Sequence, residues 1–203
     1  MPDRLVINGP GHRLSFSDGT LLRPNELPLS LMMERIVIRR YEERDTIPPI
    51  TKLLHDAYAS LAAMGLRYTA TYQEDEVTLR RLTRGVAFVG DLDGEIVATV
   101  TLYPSTATDG PCEWYRKEEV HCFGQFAVRP DLQGRGLGRS LVRRMEDEAA
   151  KRGASELALD TAEPARHLRE WYGRLGFREV ETVQWSTTNY RSVILSKSLQ
   201  RCP

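Results

Sequence analysis

The chain reads as an α/β protein in which strands and helices alternate from about Ile36 to Leu199. Three observations predict this. Short runs rich in β-branched and aromatic residues, such as Ile36-Val37-Ile38-Arg39-Arg40-Tyr41 and Glu95 to Tyr103, have strand length and composition. Between them, apolar residues recur at helical spacing: Ile50, Leu53, Leu54, Ala57, Tyr58 and Leu61 in one stretch, Leu141, Val142, Met145 and Ala149 in another. Finally, Phe126-Ala127-Val128 is a short buried-type strand that feeds a loop with three glycines, and that loop opens a helix.

Taken in order, the elements follow from local signals. Residues 1–34 hold frequent Pro, Gly, Ser and Asn with no lasting period, so they read as an N-terminal extension: a surface arm or a partner-binding strand ahead of a domain at 35–200. Asp45-Thr46 can cap the next helix, with Pro48 in its first turn. Gly65 breaks that helix, and Thr71-x-x-Glu74 reads as a capping box for a second, more polar one reaching about Arg84. Val86 to Asp91 and Glu95 to Tyr103 form a hairpin across Asp93-Gly94. A polar loop over 104–119, turning at Asp109-Gly110-Pro111, leads to the central strand at about Val120 to Val128. The helix after the glycine loop ends at Gly153. Ser155 to Asp160 is a strand, Glu163-Pro164 begins a helix with stripe Ala165, Leu168, Trp171, Tyr172 and Leu175, and Gly176-Phe177 closes it. Phe177 to Trp185 and Tyr190 to Leu199 complete an antiparallel pair.

Composition bounds the function. The 203 residues suffice for one domain with an appendage, and 28 basic against 28 acidic side chains leave no net field to attract nucleic acid or an anionic membrane. No apolar run approaches membrane-spanning length, and Leu27 to Met33 is too interrupted for a signal-peptide core. Three cysteines (112, 122, 202) and four scattered histidines imply reduced thiols, a cytoplasmic setting and no structural metal.

The glycine loop carries the chemistry. A helix's first turn holds backbone N–H groups without internal partners, and glycines at 134, 136 and 138 remove side chains that would keep an anion away. A dinucleotide fingerprint fails because Arg139 or Leu141 stands where its third glycine belongs, and the Gly-Lys-Ser/Thr of a nucleotide-triphosphate loop is absent. What remains is Gln133-x-x-Gly136-x-Gly138 behind a strand, with Trp171-Tyr172-Gly173-Arg174-Leu175-Gly176-Phe177 about 35 residues on. This pair of motifs, with the order of elements, resembles the GNAT superfamily of N-acetyltransferases.

The resemblance implies a central mixed, mostly antiparallel sheet flanked by helices and splayed at the coenzyme site. It implies acetyl-CoA as co-substrate: backbone of Phe126, Ala127 and Val128 along the pantetheine arm, and Gln133, Gly134, Arg135, Gly136, Leu137, Gly138 and Arg139 around the pyrophosphate. Tyr172 would protonate the departing thiolate. Many members place a glutamate on the central strand; here Cys122-Phe123-Gly124-Gln125 offers none. Asp160 is the candidate base, at a position where ribosomal-protein alanine acetyltransferases carry a glutamate; the competing reading, which local pattern favours, is a helix-capping or turn residue. Glu118, Glu119 and His121 are further candidates that read as solvated charges, and Cys122 as a packed thiol. Ala165 stands where the family often has a pantetheine-binding Asn. The connection between the first two helices would wall the acceptor pocket, making Arg67 and Tyr68 substrate candidates, with Arg67 suited to a carboxylate; Tyr103, at the end of a strand, is a third. The expected acceptor is a small-molecule, amino-acid or peptide amine attacking directly in a ternary complex, in a monomer or homodimer. The alternative is a catalytically silent CoA-binding or sensing module.

Overall fold

The computed structural model describes residues 6–8, 13–15, 29–107 and 110–199. Much of the expected N-terminal arm, Asp109 of the expected turn, and Cys202 lie outside these residues. Within the arm, β1 (Val6–Asn8) and β2 (Arg13–Ser15) pair antiparallel as a separate two-stranded sheet. Helix α1 (Leu29–Arg35) crosses the expected boundary at residue 34, and its Met32 is buried in the main core.

Seven strands form the principal sheet: β3 (Ile36–Arg40), β4 (Val86–Leu92), β5 (Glu95–Tyr103), β6 (Val120–Val128), β7 (Glu156–Ala162), β8 (Arg178–Gln184) and β9 (Arg191–Ser198). Their order is β3-β4-β5-β6-β7-β9-β8, and only the β6–β7 pair is parallel. Helices cover both faces. α2 (Ile47–Ala63) and α3 (Asp75–Thr83) bury Ile50, Leu53, Leu54 and Leu82 against Ala87 and Ala127. On the other face, α4 (Leu137–Lys151) and α5 (Arg166–Arg174) join the larger core, with Leu141, Met145 and Tyr172 against Phe88, Val128 and Leu157. Neighbouring strand residues such as Ala87 and Phe88 thus serve opposite faces, as a period of two requires.

Two local devices organise the frame. Leu92 pairs with Glu95 across Asp93 and Gly94, both at positive φ, which is the two-residue turn whose twist suits a hairpin. Gly153 (φ +85°) and Gly176 (φ +92°) close α4 and α5 alike: Ala154 N–H reaches the Ala149 carbonyl and Phe177 N–H the Tyr172 carbonyl, each at 3.0–3.1 Å. That is the Schellman closure, with Phe177 folded back into the core.

Three helix starts differ from expectation. Thr71 does not open α3: its hydroxyl donates to the Tyr68 carbonyl at 2.7 Å inside a 3-10 turn, and Glu74 is the residue preceding the helix. The buried Tyr68 fixes this connection before a helix can begin. At α2, Thr46 precedes the helix without a side-chain cap, because Asp45 is committed to Arg39 (2.7 and 2.8 Å) and the Glu42 amide. Pro48 does lie in the first turn. Finally, α5 starts at Arg166 rather than at Glu163-Pro164, since the Glu163 amide still donates to Arg191 O at 2.9 Å and extends the β-ladder.

Candidate active site

The parallel pair makes the site. Pairing of β6 with β7 stops at Cys122–Ala158, although β6 continues to Val128 and β7 to Ala162. Beyond that point β6 has β5 on one side only. Arg129 N–H donates to Val97 O on β5, so by alternation Ala127 also faces β5 while Phe126 and Val128 turn their main-chain groups to the open side. Midway, β6 carries a bulge: Thr99 pairs with Ala127 but Thr101 with Gly124, and Gln125 sits at φ +50°.

The glycine loop follows. Gly136 precedes α4 at φ +94°, and Gly134 lies at φ +73° with open space around both; backbone direction, not room, is what demands glycine there. Gly138 differs, because a Cβ on it would come within 3.4 Å of the Phe126 ring and 3.6 Å of Trp171. None of the main-chain amides from Gly134 to Arg139 donates to a described residue, and the helix ladder begins with Ser140 N–H on Gly136 O. A row of free donors at a helix N-terminus fits a diphosphate. The Gln133 side chain ties the loop to β6 through a 3.0 Å bond to Val128 O.

A cavity of about 560 Å³ extends along this loop between α2, β6 and α5. Phe126, Ala127, Val128, Gln133, Gly134, Gly136, Gly138 and Arg139 all line it. Two of the expected coenzyme residues do not: Leu137 is buried in the core, and the Arg135 side chain turns back to Asp131 O at 3.3 Å. Tyr172 lines the same cavity, 6% exposed, with its ring edge-on to Phe177 and Trp171. Burial, then the charges of neighbouring tyrosines and Asp160, push its phenol well above the ordinary value, so it holds its proton at neutral pH.

A second cavity, about 220 Å³, adjoins the preceding stretch Phe123-Gly124-Gln125 of the same strand, and Tyr58 borders both spaces. Asp160 from β7 opens onto it, accepting from Trp185 Nε1 (3.1 Å), Ser192 Oγ (3.0 Å) and the Tyr115 hydroxyl. Burial raises the carboxyl above its usual range despite these donors. The loop after α2 contributes Tyr68, whose hydroxyl bonds Thr161 Oγ1 and the Ala162 amide, both at 2.9 Å.

Other expected residues lie elsewhere. Arg67 is exposed and stacks over Tyr72 at 4.5 Å, off both cavities. Tyr103 donates to Arg81 O at 3.0 Å and so positions α3 rather than lining the small cavity. Glu118 and Glu119 are exposed, His121 lines neither space, and burial drives the Cys122 thiol far up, leaving no thiolate nucleophile. Ala165 is fully buried beside Tyr68 and Tyr190. Among the described residues no cluster of three or more His, Cys, Asp or Glu is arranged to hold a metal. No described helix is long and apolar enough to cross a membrane.

Several wall residues carried little sequence signal. Tyr58 read only as part of an apolar helix face, where its hydroxyl was the one polar atom. Arg81 stands between Arg80 and Arg84 at the end of a polar helix, and the bulge at Gln125 leaves no trace in composition.

Residues 49–177 match the model of the acetyltransferase (GNAT) family. The chain belongs to this family. It is 28% identical over 138 residues to an S-(2-succino)cysteine N-acetyltransferase of Bacillus subtilis, covering 66% of this chain and 79% of that protein. It is 34% identical over 97 residues to an uncharacterized N-acetyltransferase of Methanocaldococcus jannaschii, but spans only 46% of this chain and 43% of that one. In fold it is similar to a GNAT acetyltransferase of Elizabethkingia anophelis solved with acetyl-CoA bound (TM-score 0.58, 19% identity, 82% and 99% coverage). It is likewise similar to the ribosomal-protein-S18-alanine N-acetyltransferase of Escherichia coli (TM-score 0.62, 19% identity, 83% and 96% coverage). As a GNAT acetyltransferase the chain takes acetyl-CoA as its co-substrate, in keeping with the free amides of its glycine loop.

Proposed function

We propose that the chain transfers an acetyl group from acetyl-CoA to a primary amine, by direct attack in a ternary complex. The observation that carries this reading is the double use of β6. Its open backbone at Phe126 to Val128 borders the larger cavity, the adjoining Phe123 to Gln125 borders the smaller, and donor and acceptor can therefore meet along one rigid strand.

When bound, acetyl-CoA supplies a thioester activated for attack. The amides from Gly134 to Arg139 would hold its diphosphate, with the Arg139 guanidinium adding charge, and Phe126 and Val128 would pair with the pantetheine arm. Tyr172 stands as a protonated donor for the sulfur as negative charge develops. A phenol raised by burial gives up its proton less readily than a free one of pKa ~10, but the same dry surroundings also raise a thiol from its ~8.5. On the other side an alkylammonium of pKa ~10.4 must lose a proton, which costs about 4–5 kcal/mol at pH 7. Asp160, its carboxyl raised by burial, is a stronger base than an ordinary aspartate and would take that proton directly or through water. With Cys122 held as a neutral thiol, no acyl-enzyme is needed.

The experiment is CoA release from acetyl-CoA against a panel of amines that includes S-(2-succino)cysteine, on which the B. subtilis relative acts. Acetylated product from at least one amine is the expected result. The lack of a carboxylate on β6 and the alanine at 165 motivate a second reading, a silent CoA-sensing module. Tight acetyl-CoA binding by calorimetry with no amine acetylated would favour it.

A further inference from the structure

Arg81 is the cation of the small cavity, and it is held rather than loose. Its Nη1 donates to Gln73 Oε1 at 2.9 Å, Gln73 Nε2 donates to Thr78 Oγ1 at 2.6 Å, and Thr78 Oγ1 also accepts from Thr51 at 2.8 Å. Gln73 is 2% exposed and Thr78 and Thr51 are buried, so the guanidinium is fixed by packed side chains. Gly124 lies beside it, where a Cβ would make ordinary contact with Arg81 Nη2 at 3.6 Å. No described carboxylate pairs with Arg81. Asp160 and Gln125 line the same cavity, and Gln125 Oε1 is buried without a hydrogen-bond partner among the described residues. An oriented cation, a carboxylate and an unfilled acceptor thus share about 220 Å³.

We infer that Arg81 binds a carboxylate of the acceptor, which is a zwitterion of amino-acid size presenting its amine toward Gln125 and Asp160. This rests on the acetyl-transfer reading. An arginine fork matches a carboxylate in two parallel bonds, and an unfilled buried carbonyl oxygen is costly until a donor such as an ammonium reaches it. Arg67, the arginine favoured by sequence, stacks outside the cavity.

The test sets L-amino acids against their own α-carboxamides as acceptors for wild type, Arg81→Gln and Arg81→Lys, each first checked by calorimetry for acetyl-CoA binding. The wild type should prefer the acid by roughly 10–100-fold in kcat/KM, as expected for a charge-assisted bond, mainly through KM. In Arg81→Gln that ratio should collapse toward one, and Arg81→Lys should restore part of it. Equal use of acid and amide by the wild type, or a preference that survives Arg81→Gln, overturns the inference. A second arm measures binding of N-acetyl amino acids and their carboxamides to the CoA-loaded protein. Arg81-dependent preference there, without any turnover, would uphold the carboxylate site while removing the acetyl-transfer reading. Brisk turnover with no preference would do the reverse.

Discussion

Phe126 to Val128 and Phe123 to Gln125 are consecutive on one strand, yet the spaces they border are built from different materials. The larger sets main chain within residues 126–139, an open strand edge and a row of free amides, against side chains of α2 and α5. The smaller is made of side chains drawn from α2, the turn after it, α3, β7 and the segment before β9. A coenzyme offers every family member the same diphosphate and amide arm, so backbone donors suffice to hold it. Acceptors differ, and side chains on separate elements can be exchanged without disturbing the frame. Tyr58 borders both spaces.

The largest effect is expected at Tyr172, in the larger space. If the proposed acid role holds, Tyr172→Phe should lower kcat by about 10²–10⁴-fold while leaving the acetyl-CoA Kd within about threefold, because it removes the hydroxyl and keeps the packed ring. Stopped-flow turnover beside calorimetry separates the two. An unchanged kcat would strip the phenol of its assigned part.

Next in size comes Asp160→Asn, expected to cost about 10²-fold in kcat/KM for the amine. The sign of the pH dependence follows from the raised carboxyl. A base must be unprotonated, so wild-type kcat/KM should fall as pH drops through a midpoint above the ordinary aspartate value of ~3.9. The variant should lack that limb. A pH–rate profile with the same limb in both proteins would assign it to another group.

The same division explains what could be read in advance. Residues 126–139 and 171–177 are contiguous, and local chemistry wrote their structure: a strand, glycines at positive φ, a helix start, a Schellman close. The mixed, mostly antiparallel sheet and its splay between β6 and β7 follow from the family likeness of those same segments, whereas the strand order is seen only in the structure. The small cavity is legible only in part. Tyr68 and Asp160, both candidates from sequence, line it, whereas Arg67 lies outside and Arg81 lines it instead, because the burial of one arginine among several depends on contacts across the sequence. Thr71 misled for the same reason: its capping-box spacing was sound locally, and the anchoring of Tyr68 to β7 overrode it.

On the coenzyme side the effects should be smaller and fall on binding. Gly136→Ala places a Cβ at φ +94°, a left-handed conformation costing an L-residue about 1–2 kcal/mol. If the loop relaxes to escape it, the amides swing away and the acetyl-CoA Kd should rise about 5–30-fold, with acid-over-amide selectivity among acceptors retained. A loss of selectivity instead of affinity would mean that the two spaces are not independent.

Gln133→Ala is the gentlest probe. Its side-chain bond to Val128 O spans from the loop to the strand edge and touches neither the small cavity nor Tyr172. One such bond contributes about 0.5–1.5 kcal/mol, so the acetyl-CoA Kd should rise roughly two- to tenfold while kcat at saturating coenzyme stays within twofold. Because Val128 turns to the open side, freeing its carbonyl also leaves an acceptor that the pantetheine arm can use, which pulls the effect toward the lower end. A large fall in kcat would show that the loop sets the position of the thioester as well as its grip. The line between a main-chain coenzyme site and a side-chain acceptor site would then have to be drawn through the loop itself.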